Sequence, residues 1–298
     1  MDTESQSDLP EGGIQHRVSV LVAQPSIKKL AQAFPRLHER NLFKAARPFP
    51  NLKGCFVILF TSRSGSTYLC TEVEKLYRIG AVGESFNASQ LSARAKRHEL
   101  SSPAAAIRYT IRNLGENQWF GFKTGNAGLA IAEMSGFMDH YQNCTKLLLL
   151  VRRDLVAQAI SQVKAKISSQ FHSTQAPLRR ANMEDYSYAD IAECLASTFD
   201  RLKILDEYIT LTGRPAARIY YEDFEDGNTS VITSVCDAFG LPRRTSATVK
   251  RTRSVEKIRD SLNSAWRERF LSAADDTVRA LLNEYRQFIG EGIPAANT

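Results

Sequence analysis

Cys55-Phe56-Val57-Ile58-Leu59-Phe60-Thr61-Ser62-Arg63-Ser64-Gly65-Ser66-Thr67-Tyr68-Leu69 joins a continuous apolar run to small polar residues and then to a segment of helical period. The apolar run is too short for a helix and bulky enough for a strand buried on both faces. From Thr67 to Ile79 the residues Leu69, Val73, Leu76 and Tyr77 share one helical face, and Gly80 stops the pattern. A strand that turns into a helix through such a loop offers unpaired backbone N–H groups and a positive helix end to an anion. Gly65 lets the backbone approach, Ser64, Ser66 and Thr67 offer hydroxyls, and Arg63 adds charge. The same Ser-Gly-Ser string also serves as a plain helix cap. A nucleotide triphosphatase loop would need G-x-x-x-x-G-K-[ST]; the first glycine and the lysine before Ser66 are missing, which disfavours ATP or GTP hydrolysis.

Moving outward, Lys146 to Val151 forms a second apolar run, and Trp119–Lys123 and Ala217–Tyr221 are shorter strand candidates. Helical patterns lie between them. Asp154 to Phe171 carries Leu155, Ala159, Ile160, Val163 and Ile167 on one face. Ser102-Pro103 reads as a cap with proline at the first helical position, in a helix that stops at Gly115. Tyr188 to Thr212 stops at Gly213, and Asn228 to Phe239 stops at Gly240. Strands alternating with helices predict an α/β fold, a three-layer sandwich with a mainly parallel sheet around a P-loop-like strand-loop-helix. Residues 1–50, with five prolines and one short helical pattern near Ile27 to Phe34, read as an N-terminal extension. Residues 51–298 read as one domain, with no internal repeat or linker.

The chain has 298 residues, 43% of them hydrophobic and 24% charged, a composition that excludes disorder over most of its length. No stretch matches a membrane-spanning helix, and the acidic, polar N-terminus is unlike a secretion signal, so a soluble cytoplasmic protein is expected. A formal charge of +7 favours polyanionic partners without naming them. The five cysteines (Cys55, Cys70, Cys144, Cys194, Cys236) form no C-x-x-C pair and predict buried free thiols in a reducing compartment. His16, His38, His98, His140 and His172 lack metal-ligand spacing, so no metal is expected.

A second constellation follows the strand that ends at Val151. Arg152-Arg153-Asp154 places two guanidinium groups at a strand's carboxyl end, and Ser161 follows just over two turns into the next helix. Ligands of open α/β sheets gather at the carboxyl ends of strands, where this pair meets the first loop. An arginine with a serine makes a clamp for a second phosphate. Alternatively, Arg153 and Asp154 form a surface pair and Asp154 caps the helix.

In combination these segments resemble the 3′-phosphoadenosine-5′-phosphosulfate (PAPS)-dependent sulfotransferases. The likeness is to the bacterial carbohydrate group that contains trehalose 2-sulfotransferase and the lipopolysaccharide and Nod-factor sulfotransferases. It rests on Ser62–Thr67, Gly83-Glu84-Ser85-Phe86-Asn87, Gly121-Phe122-Lys123, Arg152–Ser161 and Tyr221-Glu222-Asp223-Phe224, with a weaker echo at Ser264–Phe270. The resemblance implies that Arg63, Ser64, Gly65, Ser66 and Thr67 hold the 5′-phosphosulfate. It implies that Ser161 holds the 3′-phosphate with Arg152 or with Arg153, whose eight-position spacing to Ser161 meets the wider superfamily pattern. Glu84 is implied as the general base, with His98 and His172 as rival bases. The implied reaction moves the sulfuryl group from PAPS to a hydroxyl of a carbohydrate or glycolipid, leaving adenosine 3′,5′-bisphosphate, without a metal or a nucleic-acid partner. The family includes dimers, so a homodimer is allowed. Lys123 stays outside the catalytic set, since a strand-end lysine is often merely solvated. Arg243 through Arg259 carries seven basic residues and reads either as a segment closing over the donor or as an exposed basic face. The competing reading is a noncatalytic anion- or nucleic-acid-binding protein that uses this basic surface.

Overall fold

The computed structural model describes residues 25–34, 43, 49–80, 82–169, 178–245 and 261–290. Four strands form one sheet: β1 (Gly54–Phe60), β2 (Trp119–Thr124), β3 (Thr145–Val151) and β4 (Ala216–Tyr220). The order is β2-β1-β3-β4 and every neighbouring pair is parallel. β1 and β3 are central, and their near-continuous burial explains why their sequences are apolar throughout rather than alternating. Because β2 and β3 flank β1 on opposite sides, the winding reverses between β1 and β3. A crevice at such a switch point, outside the carboxyl ends of the strands, is the usual ligand site of an open α/β sheet.

Alternate side chains of the strands feed two cores, which gives the three layers expected. On one face Phe56, Ile58, Leu148, Leu150 and Ile219 pack with Leu69 and Val73 of α2 (Ser66–Leu76) and with Ile232 and Cys236 of α9 (Ser230–Ala238). On the other face Val57, Leu59, Phe122, Leu147 and Leu149 meet the larger group of helices. These are α1 (Pro25–Ala33), α3 (Ala88–Arg97), α4 (Pro103–Leu114), α5 (Asn126–Met134), α6 (Phe137–His140), α7 (Leu155–Ser168), α8 (Tyr188–Thr212), α10 (Ser261–Ser272) and α11 (Asp276–Gly290). Phe86, Phe120, Phe122 and Phe137 form the aromatic centre of this core, with ring centroids 4.6–6.0 Å apart. Leu30, Phe34, Phe43 and Phe49, all from the first fifty residues, are buried in the same core.

Ser102 caps α4 by accepting from the Ala105 amide, with Pro103 at the first helical position. Gly213 ends α8 in the left-handed region. All five cysteines are free; Cys144 is half-buried and the other four are buried. Burial pushes the Cys70 and Cys236 thiols up to about 12, which makes them poor nucleophiles at neutral pH. Among the described residues, no helix is long and apolar enough to cross a membrane.

Candidate active site

The segment from Thr61 to Gly65 leaves β1 and enters α2. It turns tightly: the Ser64 amide donates to the Thr61 carbonyl at 3.3 Å, and Arg63 and Gly65 both have positive φ, 62° and 91°. A Cβ on Gly65 would stand 2.2 Å from the Tyr221 ring, so glycine is required twice here, for its φ and for the close approach. Gly65 caps α2 without a side-chain bond, which leaves the first amides of that helix for an anion.

α7 holds the loop from behind. Gln158 Nε2 donates to Thr61 Oγ1 at 2.9 Å and to the Ser62 carbonyl at 2.7 Å, and Gln162 Nε2 donates to the same carbonyl at 3.3 Å. Arg63 Nε donates to Ser161 Oγ at 2.9 Å, and Arg152 Nη1 donates to the Arg63 carbonyl at 3.3 Å. Carbonyls of an anion-binding loop repel the ligand, and here they are occupied by donors. Ser64 is fully buried and, among the described residues, its Oγ has no hydrogen-bond partner; Arg152 Nε is likewise buried without one. Burial, followed by the charge of Arg152, holds the Arg63 guanidinium below its usual pKa. Two guanidinium groups close enough to repel each other are stabilised when an anion lies between them.

Tyr221 sits against Gly65 on one side and under the Arg152 guanidinium, 5.1 Å from its ring centroid, on the other. It belongs to the Tyr221-Glu222-Asp223-Phe224 segment, whose acids face the two arginines. Glu222 accepts from the Arg153 amide at 2.9 Å and stands 3.8 Å from Arg152 Nε. Asp223 pairs with both terminal nitrogens of Arg153, at 2.5 and 3.1 Å, while that guanidinium lies 4.2 Å from the Tyr220 ring centroid. Arg153 therefore binds Asp223, and Arg152 is the arginine in contact with the loop.

Lys123, near the end of β2, completes the cluster. Its backbone lies opposite Ile58 of β1, and its side chain is buried. Nζ donates to Thr67 Oγ1 at 3.0 Å and to Ser66 Oγ at 3.3 Å, and it lies 3.7 Å from Glu84 Oε1. The lysine absent from the loop sequence is thus supplied by the neighbouring strand. Glu84 is held by its surroundings: Gly83 bridges to Phe122, the Lys123 amide donates to the Gly83 carbonyl at 2.9 Å, and Asn87 Nδ2 donates to Glu84 Oε2 at 3.3 Å.

The structure therefore brings Arg63, Ser64, Gly65, Ser66, Thr67, Arg152, Ser161 and Glu84 into one connected cluster, with Arg153 beside it on Asp223. Sequence reasoning set Lys123 aside as a solvated strand-end lysine, whereas the structure buries it one residue before the end of β2. The sequence reading also left out Gln158 and Gln162, which brace the loop. His98 stacks on Tyr109 with centroids 4.3 Å apart, and His172 lies outside the described residues. Of the basic stretch, Arg243 pairs with Asp237 and Arg244 with Glu116, while residues 246–260 lie outside the described residues.

A cradle of amides, hydroxyls and cations at a switch point, with a carboxylate beside it, is the equipment of an enzyme that moves a charged tetrahedral group. Residues 131–273, just under half of the chain, match the family model described as Stf0 sulphotransferase, a match that supports a transferase. The matched stretch contains Arg152, Ser161 and Tyr221–Phe224; the phosphate loop, Glu84 and Lys123 precede it. No curated protein matches the chain. Similar solved structures include mouse sulfotransferase SULT7A1 complexed with PAP, at 11% identity and a TM-score of 0.46, over 82% of this chain and 87% of that one. Others are the sulfotransferase domain of the Synechococcus PCC 7002 olefin synthase (15%, TM-score 0.42, 83% and 98%) and that of the curacin biosynthetic pathway (12%, TM-score 0.43, 82% and 100%).

Gly65→Ala would place an L residue at φ 91° and press its Cβ into Tyr221. The expected loss is at least about 1–2 kcal/mol, measured by denaturant unfolding; an unchanged midpoint would contradict the geometry of the loop.

Proposed function

We propose that the protein transfers the sulfuryl group of PAPS to a hydroxyl of a carbohydrate or glycolipid acceptor, in the cytoplasm, with Glu84 as general base. The observation that carries this reading is the Lys123 ammonium, which lies between the loop hydroxyls of Ser66 and Thr67 and the Glu84 carboxylate. It joins a place for the transferred group to a place for the attacking hydroxyl. Free, mostly buried cysteines fit a reducing compartment.

The chemistry asks for a bond from the acceptor oxygen to sulfur, cleavage of the bond from sulfur to the phosphate oxygen, and removal of the hydroxyl proton. Glu84 takes that proton as the new bond forms. The α2 amides, Ser64, Ser66 and Thr67 donate to the phosphosulfate, and Lys123 stabilises the charge that grows on the departing phosphate oxygen. By analogy with phosphoryl transfer, positioning and electrostatics supply most of the acceleration. Arg152 and Ser161 hold the 3′-phosphate in this reading. Arg63, already bonded to Ser161, links the two phosphate subsites. Ser64 Oγ and Arg152 Nε, buried and without a hydrogen bond among the described residues, are donors of the kind such a ligand satisfies. Arg153 is disfavoured for the 3′-phosphate because binding there would break its paired bonds to Asp223.

Two variants test the assignment. Glu84→Gln is expected to retain donor affinity and lose about 10²–10⁴ in turnover, followed with labelled PAPS; wild-type turnover would remove Glu84 as the base. Arg152→Ala is expected to weaken adenosine 3′,5′-bisphosphate at least about tenfold more than it weakens adenosine 5′-monophosphate. Arg153→Ala should leave that ratio unchanged, and the opposite ranking would transfer the role to Arg153.

A further inference from the structure

The helix α3 starts at the candidate base and ends in positive charge. Its cap, Asn87, accepts from the Ser89 and Gln90 amides through Oδ1 and donates to Glu84 through Nδ2. Arg94 is seven positions on, two helical turns, and so lies on the same face as Asn87 about 10 Å further along the axis. The Arg94 guanidinium is half-buried, and its Nη1 donates to Thr110 Oγ1 of α4 at 2.5 Å. Arg97 follows one turn later and is exposed.

Among the described residues, no carboxylate lies within ion-pair distance of Arg94 or Arg97. Residues 85–115 carry five basic side chains, Arg94, Lys96, Arg97, Arg108 and Arg112, against Glu99 alone. Elsewhere around the site the arginines have acids: Arg152 has Glu222, Arg153 has Asp223 and Arg244 has Glu116. Burial lowers the pKa of Arg94, opposed by Tyr109 and reinforced to a smaller extent by the charge of Arg97. A guanidinium that is partly desolvated, bonded to one neutral hydroxyl and next to a like charge is improved by an anion. Bracing α3 against α4 accounts for the bond to Thr110; it does not account for Arg97.

We infer that Arg94 and Arg97 form a subsite for a phosphate or carboxylate carried by the acceptor saccharide, two helical turns along α3 from the hydroxyl that Glu84 activates. This rests on the reading of Glu84 and the phosphate loop given above, and it narrows the acceptor to an anionic saccharide. Free sugar phosphates and phosphorylated lipid headgroups share this chemistry.

The test is calorimetric titration of the full chain, saturated with adenosine 3′,5′-bisphosphate, with maltose 1-phosphate and with maltose. The phosphorylated sugar is expected to bind at least about tenfold more tightly, and Arg97→Ala, a change at an exposed position, is expected to remove most of that difference. Arg94→Lys should remove part of it, since lysine keeps the charge and loses the fork. Cosedimentation with phosphatidylcholine vesicles, with and without phosphatidylinositol 4-phosphate, distinguishes the sources. Binding to the free sugar phosphate marks a soluble acceptor, and binding only to the phosphorylated vesicles, lost in Arg97→Ala, marks a lipid headgroup. Equal affinities for both sugars with no vesicle binding, or an Arg97→Ala protein that keeps the preference, overturns the inference while the donor site stands. Failure of adenosine 3′,5′-bisphosphate to bind would overturn both.

Discussion

Fixation of the Thr61 to Gly65 backbone by α7 is the constraint on which the site depends. A loop that exposes helix-end amides to an anion also carries carbonyls, and left free these would turn toward water or toward the ligand. Gln158, Gln162 and Arg152 bind three of the loop's oxygen atoms, and Ser161 takes the Arg63 side chain. The same helix begins immediately after β3, so the parallel pairing of β1 with β3 is what brings the brace and the loop together. Further support comes from α11, whose Tyr285 hydroxyl donates to the Arg152 carbonyl at 2.5 Å, and from Tyr221, packed between Gly65 and Arg152. Preorganisation of this kind matters because donors that already point at the developing charge need not reorganise during the reaction.

Charge is sorted over a short distance by acids placed at the cluster's edges. Glu222 and Asp223 lie about seventy residues from Arg153 in sequence and still bond its amide and its guanidinium. Arg153 is thereby withdrawn, and Arg152 is left with one longer ion pair and a face against Tyr221. Lys123 lies at the other end of the cluster, where its ammonium contacts the Ser66 and Thr67 hydroxyls and stands beside Glu84. Supplying the cation from β2 couples it to the Gly83-Glu84 segment, which lies alongside the end of that strand. The loop and the Glu84 segment are therefore joined through one backbone register, Ile58 opposite Lys123.

Much of this was legible in the sequence because the signals are local. Apolar runs of strand length became β1 and β3 within a residue of their expected ends, and capping residues such as Ser102 and Gly213 behaved as their chemistry requires. The loop and Arg152 were legible as candidates because they sit at the carboxyl ends of strands, while Ser161 and Glu84 entered through their spacing and the family resemblance. Lys123 was not, because its role comes from a pairing between residues sixty-five positions apart. Arg152 and Arg153 were not separable for the same reason: adjacent residues share every local feature, and only the distant acids tell them apart. Helices α3, α5, α6, α10 and α11 were not read from the sequence; in α3, the element that carries Arg94 and Arg97, Ala and Ser dilute the apolar stripe.

In the proposed function, the loop and the Arg152–Ser161 pair form one site for a nucleotide carrying phosphates at both the 3′ and 5′ positions. Calorimetric titration of the wild-type protein with adenosine 3′,5′-bisphosphate, alongside adenosine 5′-monophosphate and ATP, tests it directly. Tight one-to-one binding of the bisphosphate is expected, with both control nucleotides weaker by about 1.5–3 kcal/mol or more, the worth of charge-assisted hydrogen bonds to one phosphate. Equal binding of all three, or no binding by protein shown to be folded, would contradict it and return the loop to the role of a helix cap.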